Sequence, residues 1–229
     1  MKKHAWLICI LLFAGGWAFA QDDAARYLDG LEKKYSELKD YTLDVKVHFD
    51  MEGFNAPDMQ AKLFFKPPDK MKVQSKKVFF FPKEGGLFNP FLFKKEAFDI
   101  RLIEETTYDN RKAVRLKLFP KDTKRIKQSF VLTLDVESHQ IREFQTSSEE
   151  REIKGRIDYV KFEGFDLPQR IELHLDLPFK ESFEMREFGQ PETAPRRVTG
   201  KVEITYSNYR VNSGLQDEFF KGSGSSHRK

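Results

Sequence analysis

Beyond residue 20 the chain has no cysteine and no tryptophan, since Cys9, Trp6 and Trp17 all lie in the first twenty residues. No disulfide can staple the remainder, so burial and backbone pairing must hold it together. A basic block is also missing. Without Lys2 and Lys3, the 40 Lys and Arg fall to 38 against 36 Asp and Glu, and the signs intermix along the chain. That pattern excludes the electrostatic footprint of a nucleic-acid binder. Histidine is scarce: only His48, His139, His174 and His227 follow the N-terminal segment. No two share a metal-binding spacing and no thiol could assist them, so neither a metal nor a cofactor is expected. His48 and His174 occupy polar positions of alternating segments, His139 a turn and His227 the tail, which predicts four solvated side chains.

Catalytic signatures are absent too. The chain has no Gly-x-Ser-x-Gly elbow and no Gly-rich phosphate loop. Glu104-Glu105, and Glu149, Glu150 and Glu152 beside Arg151 and Lys154, read as solvated faces rather than acid–base pairs. No enzymatic activity is expected.

The one long apolar run, Trp6 to Phe13, is too short to cross a bilayer. With Lys2 and Lys3 before it and Ala18-Phe19-Ala20 after it, residues 1–20 predict a signal peptide cleaved after Ala20. Cys9 follows bulky Ile8 inside the apolar run, so lipid modification is not expected. Residues 21–221 have room for one well-formed core. Residues 222–229 form a Gly/Ser/basic tail expected to be disordered, and 186–197 a polar loop.

What is present is periodic. From Asp22 to Asp40, Tyr27 or Leu28, Leu31, Tyr35 and Leu38 recur at helical spacing, with Asp22-Asp23 suiting a helix N-terminus. From Tyr41 the period becomes two: Leu43, Val45, Val47, Phe49 and Met51 alternate with polar residues. The same alternation recurs at Ala61–Phe65, Met71–Val73, Val114–Leu118, Phe130–Val136, Ile153–Phe162, Ile171–Leu177 and Val202–Tyr206. Asp109-Asn110, Ser138-His139, Gly164 with Pro168, and Asn212-Ser213-Gly214 are the turn signals. The class is mainly β, an antiparallel sheet with one wet and one apolar face. A single helix is short cover for that apolar face, so the sheet should curl around its own interior as a barrel or half-barrel.

One segment fits none of these elements. Val78 to Phe93 holds six Phe and two Leu, yet Pro82, Gly85-Gly86 and Pro90 interrupt it. Its alternatives are a buried hairpin with an unusual turn or a lid over something apolar. A short helical turn is expected around Lys94 to Phe98.

Several phrases, taken in order, resemble the LolA-type outer-membrane lipoprotein carriers and their LolA-like relatives. Leu31 to Val47 is similar to the family's helix-into-first-strand opening. Leu63 to Val73, with Lys66-Pro67-Pro68-Asp69-Lys70, resembles the corner that follows. Ile157 to Glu172 resembles the late hairpin, and Tyr206 to Phe220 the closing strand and terminal segment. The resemblance implies an unclosed half-barrel with an N-terminal helix and short lid elements, holding acyl chains on its concave face. It implies a periplasmic, monomeric carrier, with acylated lipoproteins or lipids as cargo, an inner-membrane donor and an outer-membrane acceptor. Val45, Val47, Phe65, Met71, Val73 and Leu116 would face the acyl chains. Phe79, Phe81, Leu87, Phe88, Phe91, Leu92 and Phe93 would form the lid or mouth. Two departures stand out: Pro67 replaces the Arg that ties the carriers' lid, and Val78 to Phe93 replaces their Trp-containing middle strand. The alternative function is a lipid-sensing regulatory or interaction domain of the cell envelope.

Overall fold

A computed structural model describes residues 16–51, 56–77, 79, 89–124, 128–147, 152–178 and 197–221. Among them are one α-helix, α1 (Gly16–Lys34), and ten strands. The first five strands are β1 (Tyr41–Met51), β2 (Met59–Lys66), β3 (Lys70–Gln74), β4 (Phe98–Tyr108) and β5 (Arg111–Pro120). The others are β6 (Ser129–Asp135), β7 (Ile141–Ser147), β8 (Glu152–Phe162), β9 (Phe165–Pro178) and β10 (Arg197–Val211). All pair antiparallel in one sheet of order β3-β2-β1-β10-β9-β8-β7-β6-β5-β4. β3 and β4 are its two free edges, so the sheet is an unclosed half-barrel.

The turn signals act through backbone conformation. Asp109 and Asn110 both adopt positive φ (47° and 61°), joining β4 to β5 in the tight two-residue form that matches strand twist. Glu163 and Gly164 do the same between β8 and β9. Asn208, also at positive φ, lies where β10 carries an extra residue opposite Leu43, and its amide donates to Asp44 at 2.8 Å.

Three expectations need correction. The helix covers Gly16–Lys34 rather than Asp22 to Asp40, although Tyr35 and Leu38 are buried with the rest of its stripe. It ends early because the chain tightens into i→i+3 bonds, Tyr35 N to Glu32 O and Leu38 N to Tyr35 O. The Ser36 hydroxyl also caps the Lys33 carbonyl at 2.8 Å. Asp22 and Asp23 thus fall inside the helix of the full chain; removal of residues 1–20 would return them to its first turn. Second, β4 occupies sequence left without an element, because only Phe98, Ile100 and Leu102 alternate before Glu104-Glu105-Thr106-Thr107. Third, β7 escaped notice because a register shift places its two apolar residues, Ile141 and Phe144, three apart. The helical turn expected near Lys94 to Phe98 is a single 3-10 turn, Lys95–Ala97. Residues 1–15 of the expected signal peptide, residues 186–196 of the loop expected at 186–197 and the tail lie outside the described residues, while Arg197 begins β10 instead.

Asp40 ties the start of the sheet to its end. Only 2% exposed, its carboxylate accepts from Ser213 N (2.7 Å), Ser213 Oγ (2.7 Å), Gly214 N (2.9 Å) and Leu215 N (3.1 Å). Asn212 completes the joint by accepting from Lys39 N and donating to Glu37 O. Burial alone would raise the Asp40 pKa, but the four hydrogen bonds hold it below the ordinary carboxylate value. A folded pKa below the unfolded one stabilises fully above about pH 5, and the gain is lost as pH falls through the folded value. Asp40→Asn should therefore cost about 2–4 kcal/mol at neutral pH, read as the urea midpoint. It should also flatten the acid decline of stability; parallel pH profiles for the two proteins would refute this role.

Candidate functional site

The apolar face is continuous from one half of the sheet to the other. Successive pairings align Phe49 on β1 with Val202, Leu173, Phe144, Leu132 and Leu116, ending at Leu102 on edge strand β4. Gly155 completes the row between Leu173 and Phe144. A Cβ there would stand 2.2 Å from the Phe144 ring, so the glycine is what lets that ring lie across β8. Polar residues alternate onto the other face.

Two pieces cover the concave side. Helix α1 packs against β4 and against the 3-10 turns Pro90–Leu92 and Lys95–Ala97. The chain from Asn89 to Ala97 inserts aromatic rings: Phe91 stacks on Phe65 with centroids 6.5 Å apart, and Phe65 stacks on Tyr41 at 5.0 Å. Phe93 meets Phe130 edge-on at 5.3 Å and Phe98 at 6.3 Å. The cover therefore touches β2 through one ring and β4 and β6 through the next. Its polar ties are few. Asn89 donates to Pro68 O at 3.1 Å and accepts from Phe91 N at 3.1 Å. Lys95 pairs with Asp29 of α1 at 2.8 Å, and Lys94 with Glu32 at 3.6 Å.

Of the residues expected to face inward, Val45, Val47, Phe65 and Leu116 are fully buried in the core, and Val73 is half-buried against it. Met71 is the exception. It lies opposite Phe65 on the apolar side, yet is 42% exposed because β3 has no neighbour beyond it. Among the lid candidates Phe79, Phe91 and Phe93 pack against the core while Leu92 is 42% exposed. Phe81, Leu87 and Phe88 lie outside the described residues.

The sequence places Tyr35 on the helical apolar stripe, but the hydrogen-bonding role of the interior tyrosines is seen only in the structure. Tyr35, Tyr159 and Tyr209 donate to the carbonyls of Asp166, Ile141 and Pro168 at 2.8, 2.7 and 2.6 Å. Burial pushes all three phenols well above their ordinary pKa, so they stay neutral donors inside an apolar wall. Alternation signalled only Tyr159, which shares the parity of Ile153 and Ile157; Tyr209 is out of step with Val202, Ile204 and Tyr206 and turns inward through the bulge at Asn208. His139 also needs correction. It sits in a positive-φ turn as expected, but its ring seats beneath helix α1, with Nδ1 buried and unbonded. A Cβ at Gly30 would lie 2.4 Å from that nitrogen, so the glycine is the notch that receives the ring. His48 and His174 are exposed, bonded to Asp58 and Glu172.

At the β2–β3 corner, Asp217 of the terminal 3-10 turn (Asp217–Phe220) bridges Lys66, at 2.7 Å, and Lys70. These hydrogen bonds hold its carboxyl at about 2. Phe219 packs 4.8 Å from Phe64 beneath the Lys72 ammonium. Pro67 cannot supply the guanidinium tie of the resembling carriers; Asn89 links the same corner to the cover instead.

The opposite face carries an open groove of about 440 Å³ lined by Arg115, Glu143, Lys154, Arg156, Glu172 and His174. Val131, Thr133, Phe144, Gln145 and Gly155 complete its lining, so the groove is open and mixed in character, whereas the covered concave face is continuously apolar and is the candidate site.

No family profile and no curated protein matches the sequence. Solved structures do match the fold. A LolA superfamily protein from Nitrosomonas europaea is 12% identical, with a TM-score of 0.59 over 86% of this chain and 96% of that one. The chain has the LolA superfamily fold. A Vibrio parahaemolyticus domain, provisionally described as an outer membrane lipoprotein-sorting protein domain, superposes with a TM-score of 0.55 at 11% identity, covering 88% of this chain and 97% of that one. A DUF1329 family protein from Desulfovibrio piger gives 0.61 at 13% identity, covering 89% and 98%. The LolA-like architecture expected from the local phrases is thus the architecture observed, at identities that speak for the fold alone.

The seating of α1 is testable. Alanine favours a helix over glycine by about 0.8–1 kcal/mol, yet Gly30→Ala should lower the melting temperature because its methyl displaces the His139 ring. His139→Asn, which keeps a residue tolerant of positive φ, should restore stability when combined with Gly30→Ala. Stabilisation by Gly30→Ala alone would show that the ring does not occupy this notch.

Proposed function

We propose that this protein is a non-catalytic periplasmic carrier that takes acyl chains of lipoproteins, or related lipids, onto its concave face for delivery to the outer membrane. One observation carries the proposal: a continuous apolar face on an unclosed sheet is sealed by a separable cover, α1 and the segment bearing Phe91 and Phe93. Acyl chains would take the place of those rings. Each methylene transferred from water is worth about 0.8 kcal/mol, so ten supply roughly 8 kcal/mol of gross driving force before the cost of moving the cover. Apolar contact suffices for capture, and release requires an acceptor that competes for the same chains. The N-terminal signal features support export, and the LolA-like fold supports lipid or lipoprotein binding.

Delipidated protein titrated with a fluorescent fatty acid and with a triacylated lipopeptide tests the proposal. Saturable uptake of either probe is expected, with Phe91→Asp or Phe93→Asp changing affinity at least tenfold while the fold persists by circular dichroism. If neither probe binds, the carrier function is wrong. The ties predict kinetics as well. Asn89→Ala combined with Lys95→Ala should raise the probe's association rate by loosening the cover; an unchanged rate would place the entry route elsewhere.

A further inference from the structure

The mouth of the concave face carries two features that the capture of acyl chains does not use. Met71 and Leu92 are each 42% exposed, although Met71 lies opposite buried Phe65 and Leu92 directly follows Phe91, which stacks on that same Phe65. Both are held in place: Met71 by its ladder to β2, and Leu92 by the 3-10 turn whose Leu92 N–H donates to Asn89 O at 3.1 Å. Acidic partners surround both residues, Asp217 beside Lys70 and Asp29 and Glu32 beside Lys95 and Lys94, but lysine predominates along the edge hairpin that carries Met71. Residues 60–77 contain six Lys and one Asp. Lys66 and Lys70 are neutralised by Asp217, and Lys72 lies over Phe219. Lys76 and Lys77 are exposed and form no ion pair among the described residues. Their turn is pinned by Ser75, whose hydroxyl donates to Gln60 O at 2.8 Å and accepts from Lys77 N at 3.3 Å.

We propose that this mouth docks on an anionic phospholipid surface, with Met71 and Leu92 inserting shallowly between headgroups and Lys76 and Lys77 contacting their phosphates. Two exposed apolar side chains fall far short of the roughly 1,000 Å² that a stable protein interface buries. Shallow insertion supported by neighbouring lysines needs no such area, because weak apolar and electrostatic contributions add at a charged bilayer. The geometry has a consequence for cargo: chains would pass between bilayer and concave face beside Phe65 and Phe91 without crossing water. The inference rests on the carrier proposal for its purpose but not for its test.

Full-length mature protein is sedimented with phosphatidylcholine vesicles and with vesicles containing phosphatidylglycerol. Binding to the anionic vesicles only, weakening with salt, is expected. Lysines near an anionic surface contribute about fivefold each in partitioning. Lys76→Glu with Lys77→Glu should therefore reduce binding at least about 25-fold while leaving uptake of the soluble fatty-acid probe intact. Leu92→Asp should abolish vesicle binding in a protein that still melts cooperatively, and Met71→Asp serves as the second such variant. Equal binding to neutral vesicles, no binding to either, or wild-type binding by these variants would overturn the proposal. Loss of probe uptake with vesicle binding intact would instead strike the carrier proposal alone.

Discussion

The pairing of β1 with β10 decides where this sheet is open. It brings the first and last strands together in the middle of the sheet, and Asp40 clamps them by holding the backbone that leaves β10. With that seam closed, the free edges fall to β3 and β4, which are neighbours in sequence. The chain between them must travel from one edge of the half-barrel to the other. Its described part from Asn89 to Ala97 lies on the concave side, planting Phe91 on Phe65 and Phe93 on Phe98 and Phe130. The cover is thus a topological consequence of the seam.

The two faces of the sheet solve different problems. On the concave side, tyrosine hydroxyls reach backbone carbonyls, so these phenols are satisfied without water. On the convex side, charged residues pair across strands, as in Arg170 with Asp158 and Lys201 with Glu172. Such exposed pairs contribute little stability individually. The cohesion of a cysteine-free domain therefore rests on the buried rows and the backbone ladder.

Much of the architecture was legible in the alternation of residue types. Leu43 to Met51 and Val114 to Leu118 announced their strands because a half-buried strand forces a period of two. The signal failed where geometry breaks that period, at the β6–β7 register shift and along the exposed end of β4. It failed differently at His139, where a polar residue in a turn became the seat of a helix through contact with Gly30. Of the inward positions, Met71 shows how parity and burial separate: its side is correct, but an edge strand has no neighbour to bury it.

By itself the sequence determined the strand-rich class, the alternation of wet and dry faces, the stripe of the N-terminal helix and the dependence on burial rather than disulfides. These follow from local periodicity and composition, which need no knowledge of distant contacts. Only the tertiary structure decided which strands lie at the edges, that Asn89 rather than a corner arginine ties the cover, and that Phe91 and Phe93 point inward while Leu92 points out. Those outcomes depend on residues far apart in the chain meeting in space, as Asp40 meets Ser213, and no local pattern encodes such a meeting.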